Sequence, residues 1–298
     1  MIDGLAVVDK PAGMTSHDVV AHCRRLFGQR RVGHSGTLDP DATGVLLVGL
    51  GRATRLLQFQ SGLPKSYTAD VVLGVATTTL DAAGEVTGRW DQRGVSLDQA
   101  RRAAAALTGP IRQVPPMVSA VKVGGRRLHE LARQGIEVER EARQVTVWRF
   151  DVDSLSCEPG NAGPVLAVGV HCSSGTYVRV LAADLGAALG GGAHVRSLRR
   201  TAVGPWAVEA AVPLDALSAA DVVPPVDSLP WLDMAAVPDD RVHEVANGRV
   251  LGREALGLAG DGPWRMTGPG GELLAVYIPH PTNAKAVKPA VVLPEAGP

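Results

Sequence analysis

Between residues 16 and 28 the apolar positions fall at Val19, Val20, Cys23, Leu26 and Phe27, the spacing of one helix face. Ser16 is a suitable N-cap for this helix, and Gly28 can close it in a left-handed conformation. A second helix is predicted from Ser96-Leu97-Asp98-Gln99, a capping-box sequence, through an alanine-rich run to about Gly109. A third covers about residues 177–189, where Leu181, Leu185 and Leu189 repeat on one side. Between the helices the period shortens to two. Tyr67, Ala69, Val71, Leu73 and Val75 share one strand face, with Thr68 and Asp70 opposite. Residues 145–152 are rich in β-formers around Val145, Val147, Trp148 and Phe150, and residues 165–172 alternate with Leu166, Val168 and Val170 on one side. Strands interleaved irregularly with helices predict an α+β sheet, not a doubly wound one.

The pattern changes after Trp206. Residues 218–230 carry Pro224, Pro225 and Pro230 and are expected to form a linker. Beyond it, glycine turns and short apolar runs such as Leu273-Leu274-Ala275-Val276-Tyr277-Ile278 predict a small β-rich module over 231–298, with a mobile tail from about residue 281. A chain of 298 residues with 45% hydrophobic content accommodates that division: one large domain, 1–217, and one small one.

Formal net charge is zero, yet the charge is segregated. Residues 101–150 hold ten Lys/Arg against four Asp/Glu, and residues 207–298 hold six against twelve. The basic region is the better candidate for an anionic partner. The three cysteines, Cys23, Cys157 and Cys172, form no C-x-x-C pair, which fits a reducing compartment and argues against a disulfide framework or a zinc site. With no signal core and no apolar run approaching 18 residues, a soluble, cytoplasmic protein is expected.

The segment that concentrates chemistry is Gly33-His34-Ser35-Gly36-Thr37-Leu38-Asp39-Pro40-Asp41-Ala42-Thr43-Gly44. Its glycines let the main chain approach a ligand, and Pro40 biases Asp39 toward an extended backbone. By residue type alone it reads first as an ordinary Gly/Pro-rich turn.

Its wording, however, resembles the signature of the TruB-type tRNA pseudouridine(55) synthases, G-H-x-G-x-L-D-P-x-A-T-G. Four further segments resemble that family in order and spacing: Gly4–Ser16 with Asp9-Lys10-Pro11, Lys65-Ser66-Tyr67, His171–Arg179 and Gly192–Arg200. The resemblance covers about residues 4–205. It implies a pseudouridine-synthase fold, a mixed, largely antiparallel central sheet flanked by helices, followed by a small PUA-like C-terminal domain.

The activity it implies is isomerisation of the T-loop uridine of tRNA, which needs no cofactor or metal. Asp39 matches the catalytic aspartate, a carboxylate able to attack carbon and later leave. Whether it attacks ribose C1′ or uracil C6 stays open. Arg179 matches the arginine that pairs with it and Tyr67 the tyrosine that lies against the uracil. Leu198 corresponds to a leucine near the base, and His34 to the residue that fills the space left by the flipped nucleotide. Gly36 and Thr37 fall in the substrate-contacting loop. Lys10, Arg30, Arg31, Arg126 and Arg127 are candidate phosphate contacts. The last two lie in a basic insertion, about 122–143, expected to close over the T-arm stem-loop about a Gly124-Gly125 hinge. The family leads us to expect a monomer.

Other readings fare less well. A purely RNA-binding module has no use for an acidic group facing an anionic ligand. Gly49-Leu50-Gly51-Arg52-Ala53-Thr54 lacks the G-K-[ST] ending of a phosphate loop. A glycosidase needs two carboxylates about the scissile bond, and Asp41 is a poor second. Zinc deamination lacks its H-x-E and P-C-x-x-C elements.

Overall fold

The computed structural model describes residues 1–119, 122–123, 126–127, 134, 136, 138–157 and 162–293. In the first half, β1 (Gly4–Lys10), α1 (Ser16–Leu26), β2 (Val32–Ser35), β3 (Thr43–Leu50), α2 (Leu57–Ser61) and β4 (Lys65–Leu73) follow one another. A small hairpin comes next, β5 (Val75–Thr77) with β6 (Val86–Arg89), then α3 (Leu97–Ala106) and β7 (Gly109–Gln113). The two-residue strands β8 (Lys122–Val123) and β9 (Arg126–Arg127) pair with each other. The long strands β10 (Arg143–Ser156) and β11 (Val165–Cys172) precede α4 (Val178–Ala188) and β12 (Ala193–Val203).

One 11-stranded sheet organises these elements along the path β14-β1-β3-β12-β4-β11-β10-β7, where β14 is Val212–Pro213, with β2 paired to β3, β13 (Trp206–Ala207) to β12 and β15 (Val222–Val223) to β1. The neighbours β3 and β12 run parallel, as do β1 and β14, while the pairs from β12 through β7 are antiparallel. The expected mixed, largely antiparallel sheet is therefore present. Tyr67, Ala69, Val71 and Leu73 are buried on one face together with Leu166, Val168 and Val170. On that face α3 and α4 complete the main core, with Leu181 and Leu185 fully buried. Burial of each such leucine stabilises the fold by about 1.5–3 kcal/mol.

α1 packs Val19, Val20 and Cys23 against Ala6, Val8, Leu46 and Val48. Its N-cap is Thr15, one residue before the expected Ser16. The reason is Asp18, which stands three residues after Thr15 and completes a capping box, accepting from the Thr15 N–H at 2.8 Å. Ser16 is thereby left inside the helix and buried, free for another task. Ser96 and Gln99 form the expected box at α3.

Two expectations for the second half are corrected. The segment 218–230 is not a free linker: β15 (Val222–Val223) pairs with β1, and Ser228 and Leu229 are buried. Nor do residues 283–292 behave as the expected mobile tail. β20 (Asn283–Val292) pairs with β19 (Leu273–His280) inside a five-stranded sheet, burying Ala286, Val287 and Val291. That sheet, with β16 (Asp233–Ala236), β17 (Leu251–Gly252) and β18 (Trp264–Thr267), forms the C-terminal strand domain around Trp264, Met266 and Tyr277. Its other face buries Leu273, Val276, Val291 and Leu293 against Ala53, Leu56, Leu229 and Leu232. Among the described residues no helix is long and apolar enough to cross a membrane.

Candidate active site

The Gly33–Gly44 segment runs from β2 into β3, and buried polar groups from elsewhere in the chain hold it. The Lys10 ammonium, at the end of β1, donates to the carbonyls of Pro11, Met14 and Pro40 at 2.7, 2.6 and 2.8 Å. The buried Ser16 hydroxyl accepts from the Leu38 N–H at 2.9 Å. Gly44, at φ +100, passes so close to the backbone of Arg200 that a Cβ would collide with it; only glycine fits. The residues on either side of Asp39 are thus fixed before any ligand arrives.

Arg179, in the first turn of α4, grips Asp39 with a planar fork. Its Nη2 lies 3.0 Å from Oδ1 and its Nε 3.0 Å from Oδ2. The arginine side chain is 5% exposed and the aspartate 37%, so the cation is sunk in the wall and the carboxylate faces the opening. The remaining guanidinium donors reach the carbonyls of Thr79 and Val118 at 2.9 and 2.8 Å and the Asp81 carboxylate at 3.2 Å. Gln113 steadies the start of this helix, accepting from the Tyr177 N–H at 2.9 Å. Burial pushes the Asp39 pKa above the usual carboxylate range and Arg179 works against it, while Asp81 and Asp41 add to the rise and Lys10 opposes it.

Asp39 and Arg179 border a cleft of about 400 Å³. Gly36, Thr37, Tyr67, Leu198, Lys65 and Arg200 complete much of its lining. Tyr67 is on β4 and its cross-strand partner is Arg200 on β12. Burial raises the Tyr67 pKa, and the Arg200 guanidinium beside its hydroxyl works in the opposite direction. The Lys65 pKa is lowered to about 8, first by burial and then by Arg200. Ser61, at the end of α2, joins three walls, because its carbonyl accepts from Lys65 Nζ at 3.0 Å and from Ser174 Oγ at 2.7 Å.

The fold therefore brings together Asp39, Arg179, Tyr67, Leu198, Gly36 and Thr37, which lie far apart in the sequence. Lys10 is a correction. It is fully buried with its three donors spent on carbonyls, so it shapes the Asp39 loop and offers nothing to a phosphate. His34 lies on β2 outside the cleft lining, its ring set edge-on to His17 at 5.2 Å. Arg126 is exposed, donating to Gln134 at 2.7 Å, and Arg127 belongs to the short strand β9. The Gly124-Gly125 hinge lies outside the described residues. Sequence reasoning missed Asp81, Lys65 and Arg200. Asp81 sits in a Thr-rich turn that reads as solvent-facing. Lys65 and Arg200 belong to the matched motifs but carry no residue-type signal that a buried role would need.

The chain matches known proteins along most of its length. The profile of the TruB family pseudouridylate synthase N-terminal domain matches residues 24–178, and that of the tRNA pseudouridylate synthase B C-terminal domain matches residues 179–227. The tRNA pseudouridine synthase B of Mycobacterium sp. (strain KMS) is 48% identical over 286 residues, 95% of each chain. That of Thermobifida fusca (strain YX) is 48% identical over 279 residues, 93% of this chain and 94% of the other. A chain in the crystal structure of a Cbf5–Nop10–Gar1 complex superposes with a TM-score of 0.72 at 27% identity, covering 98% of this chain and 85% of its own.

Proposed function

The chain belongs to the TruB family of pseudouridylate synthases, and from that premise we propose that it converts the T-loop uridine of tRNA, position 55, to pseudouridine. The observation that carries this reading is the Asp39–Arg179 fork at the wall of the cleft, beside Tyr67. The isomerisation breaks the bond between ribose C1′ and uracil N1, forms one between C1′ and C5, and moves a proton off C5 while N1 takes one up. It is redox-neutral.

The target nucleotide leaves the T-loop stack at a cost of a few kcal/mol and enters the cleft. Asp39 attacks as the nucleophile, at C1′ or at C6. Arg179 keeps it ionised once RNA has sealed the site, and the fork fixes which lone pairs face the substrate. The Tyr67 ring stacks on the uracil, an interaction worth about 1–3 kcal/mol per base in single-stranded complexes, and its hydroxyl relays the C5 proton, giving up its own as it takes that one. Leu198 packs against the base, with Gly36 and Thr37 beside it, while His34 occupies the place vacated in the loop. Residues 1–217 carry this chemistry. Arg30, Arg31, Arg126 and Arg127 contact T-arm phosphates, and one chain in the cytoplasm is the working unit.

The test is tritium release from tRNA carrying C5-labelled uridine, followed by mapping the product nucleoside. Release accompanied by pseudouridine at position 55 alone supports the assignment. Pseudouridine elsewhere, or tight tRNA binding without release, refutes it.

A further inference from the structure

The described buried cations of the catalytic domain are neutralised in different ways. Arg179 has two carboxylates, Asp39 and Asp81, and Lys10 feels Asp41 and Asp39. Lys65 and Arg200 differ. Their side chains are almost completely buried in the cleft lining, and among the described residues neither forms an ion pair. Lys65 donates to the carbonyls of Ser61 and Leu63 at 3.0 and 2.7 Å, which leaves one N–H of three uncommitted. Arg200 donates to the carbonyls of Val45 and Gly36 at 2.7 and 3.0 Å. The two side chains converge beneath Gly36, where an added Cβ would stand 3.5 Å from Arg200 Nη1 and 3.6 Å from Lys65 Cε.

Two adjacent buried cations repel, and carbonyl dipoles do not cancel their charge, so the arrangement is unfavourable until an anion arrives. We propose that Lys65 and Arg200 form an electropositive floor that stabilises the anionic uracil ring generated during the reaction. This rests on the activity proposed above. Uridine enters neutral. If Asp39 attacks C1′, the C1′–N1 bond breaks and its electron pair leaves on the ring. If Asp39 adds to C6, the C5–C6 π electrons move toward O4. Negative charge appears on the uracil by either route, and a fixed positive field favours that state over the neutral one. Lys65 and Arg200 are positioned to act on charge developing in the base, deeper in the cleft than a backbone phosphate.

The ionisable groups facing Lys65 are Arg200, which lowers its pKa, and Cys172, which opposes that lowering and is itself pushed up to about 11; Tyr67 shares its strand face. Lys10 is also lowered to about 8, first by burial and in part by Arg200, with its ammonium held by the carbonyls of Pro11, Met14 and Pro40. The experiment measures single-turnover consumption of the target nucleoside by Lys65→Met and Lys65→Arg on full-length tRNA carrying either uridine or 5-fluorouridine. C5 of the latter has no proton to release, so that arm reads C1′–N1 bond cleavage and not pseudouridine formation. Fluorine lets the ring carry negative charge more readily. Lys65→Met is expected to slow the uridine substrate by roughly 100-fold, the scale of one preorganised donor. The 5-fluorouridine substrate should be slowed much less, tRNA affinity should be unchanged, and Lys65→Arg should recover most of the rate.

The wild-type rate should fall as pH rises through about 8, where the Lys65 ammonium loses its proton, and Lys65→Arg should abolish that fall. Equal slowing on both substrates, or weakened binding with an unchanged rate, would overturn the proposal; the latter would make Lys65 a phosphate ligand. If Lys65→Met fails to fold, Lys65→Arg decides: an alkaline fall that persists there belongs to Lys10 and refutes the role of Lys65. Wild-type turnover in the same assay reports separately on the underlying activity.

Discussion

Arg265 in the C-terminal domain and Arg179 in the cleft are both arginines that grip main-chain carbonyls, but they serve different ends. Arg265 donates to Leu232 and Val226 at 3.0 and 2.7 Å and stitches the 218–230 segment to the strand domain. The surroundings there are apolar: Leu229, Val276 and Leu293 are buried together, and the interface is held by area removed from water. Arg179 also meets two carbonyls, yet its remaining donors hold Asp39 and Asp81. One region buries polar groups to join two bodies, the other to set the charge and aim of a carboxylate. Substitutions should therefore separate stability from chemistry.

The largest effect expected from the supporting residues is in the cleft. Arg179→Lys keeps the charge but loses the fork, and should lower the single-turnover rate by roughly 10²–10³-fold with tRNA affinity preserved. A variant at wild-type rate would show that charge alone suffices. At the interface the pattern should reverse. Leu229→Ala removes a fully buried side chain and should cost about 3 kcal/mol of unfolding free energy. The chemical step, measured well below the melting temperature, should stay intact; a slowed step would mean the domains are coupled through the cleft.

The pH profile sharpens the cleft side further. Asp39 must be ionised to attack, and burial raises its pKa. The rate should therefore fall, as pH is lowered, from a point above the ordinary carboxylate value of about 4. An acid limb at or below that value would contradict a desolvated nucleophile. Smallest in its effect on chemistry is the double change Arg126→Ala with Arg127→Ala. It should weaken tRNA binding and reduce the log–log salt slope by about one for each phosphate that the variant no longer neutralises, leaving the rate of bound complex unchanged. Salt-dependent titrations of wild type and variant provide the check.

Much of what depends on near neighbours was legible in the sequence, although the Thr15–Asp18 box moves the α1 N-cap one residue ahead of the expected Ser16. Ser96 and Gln99 cap α3 because they stand three positions apart, and the alternation around Leu166 follows from the pleat. The family-like motifs located Asp39, Tyr67 and Arg179, which the fold brings to one cleft. What escaped depends on distant main chain. Lys10 resembles a surface lysine until the Pro40 carbonyl, 30 positions away, folds onto it. Asp81 gains its place only when Arg179 arrives from 98 positions downstream. Residues 283–292 look polar because Lys285, Lys288 and Pro289 interrupt the pattern, but β19 supplies the partner that buries Val287 and Val291.

The central claim, that Asp39 is the nucleophile of a uridine isomerase, is tested most directly by single-turnover tritium release from C5-labelled tRNA, comparing wild type with Asp39→Ala. Release by the wild type, lowered by on the order of 10⁴-fold or more in the variant while tRNA affinity persists, is the predicted result. Release by Asp39→Ala at a rate near that of the wild type would contradict it.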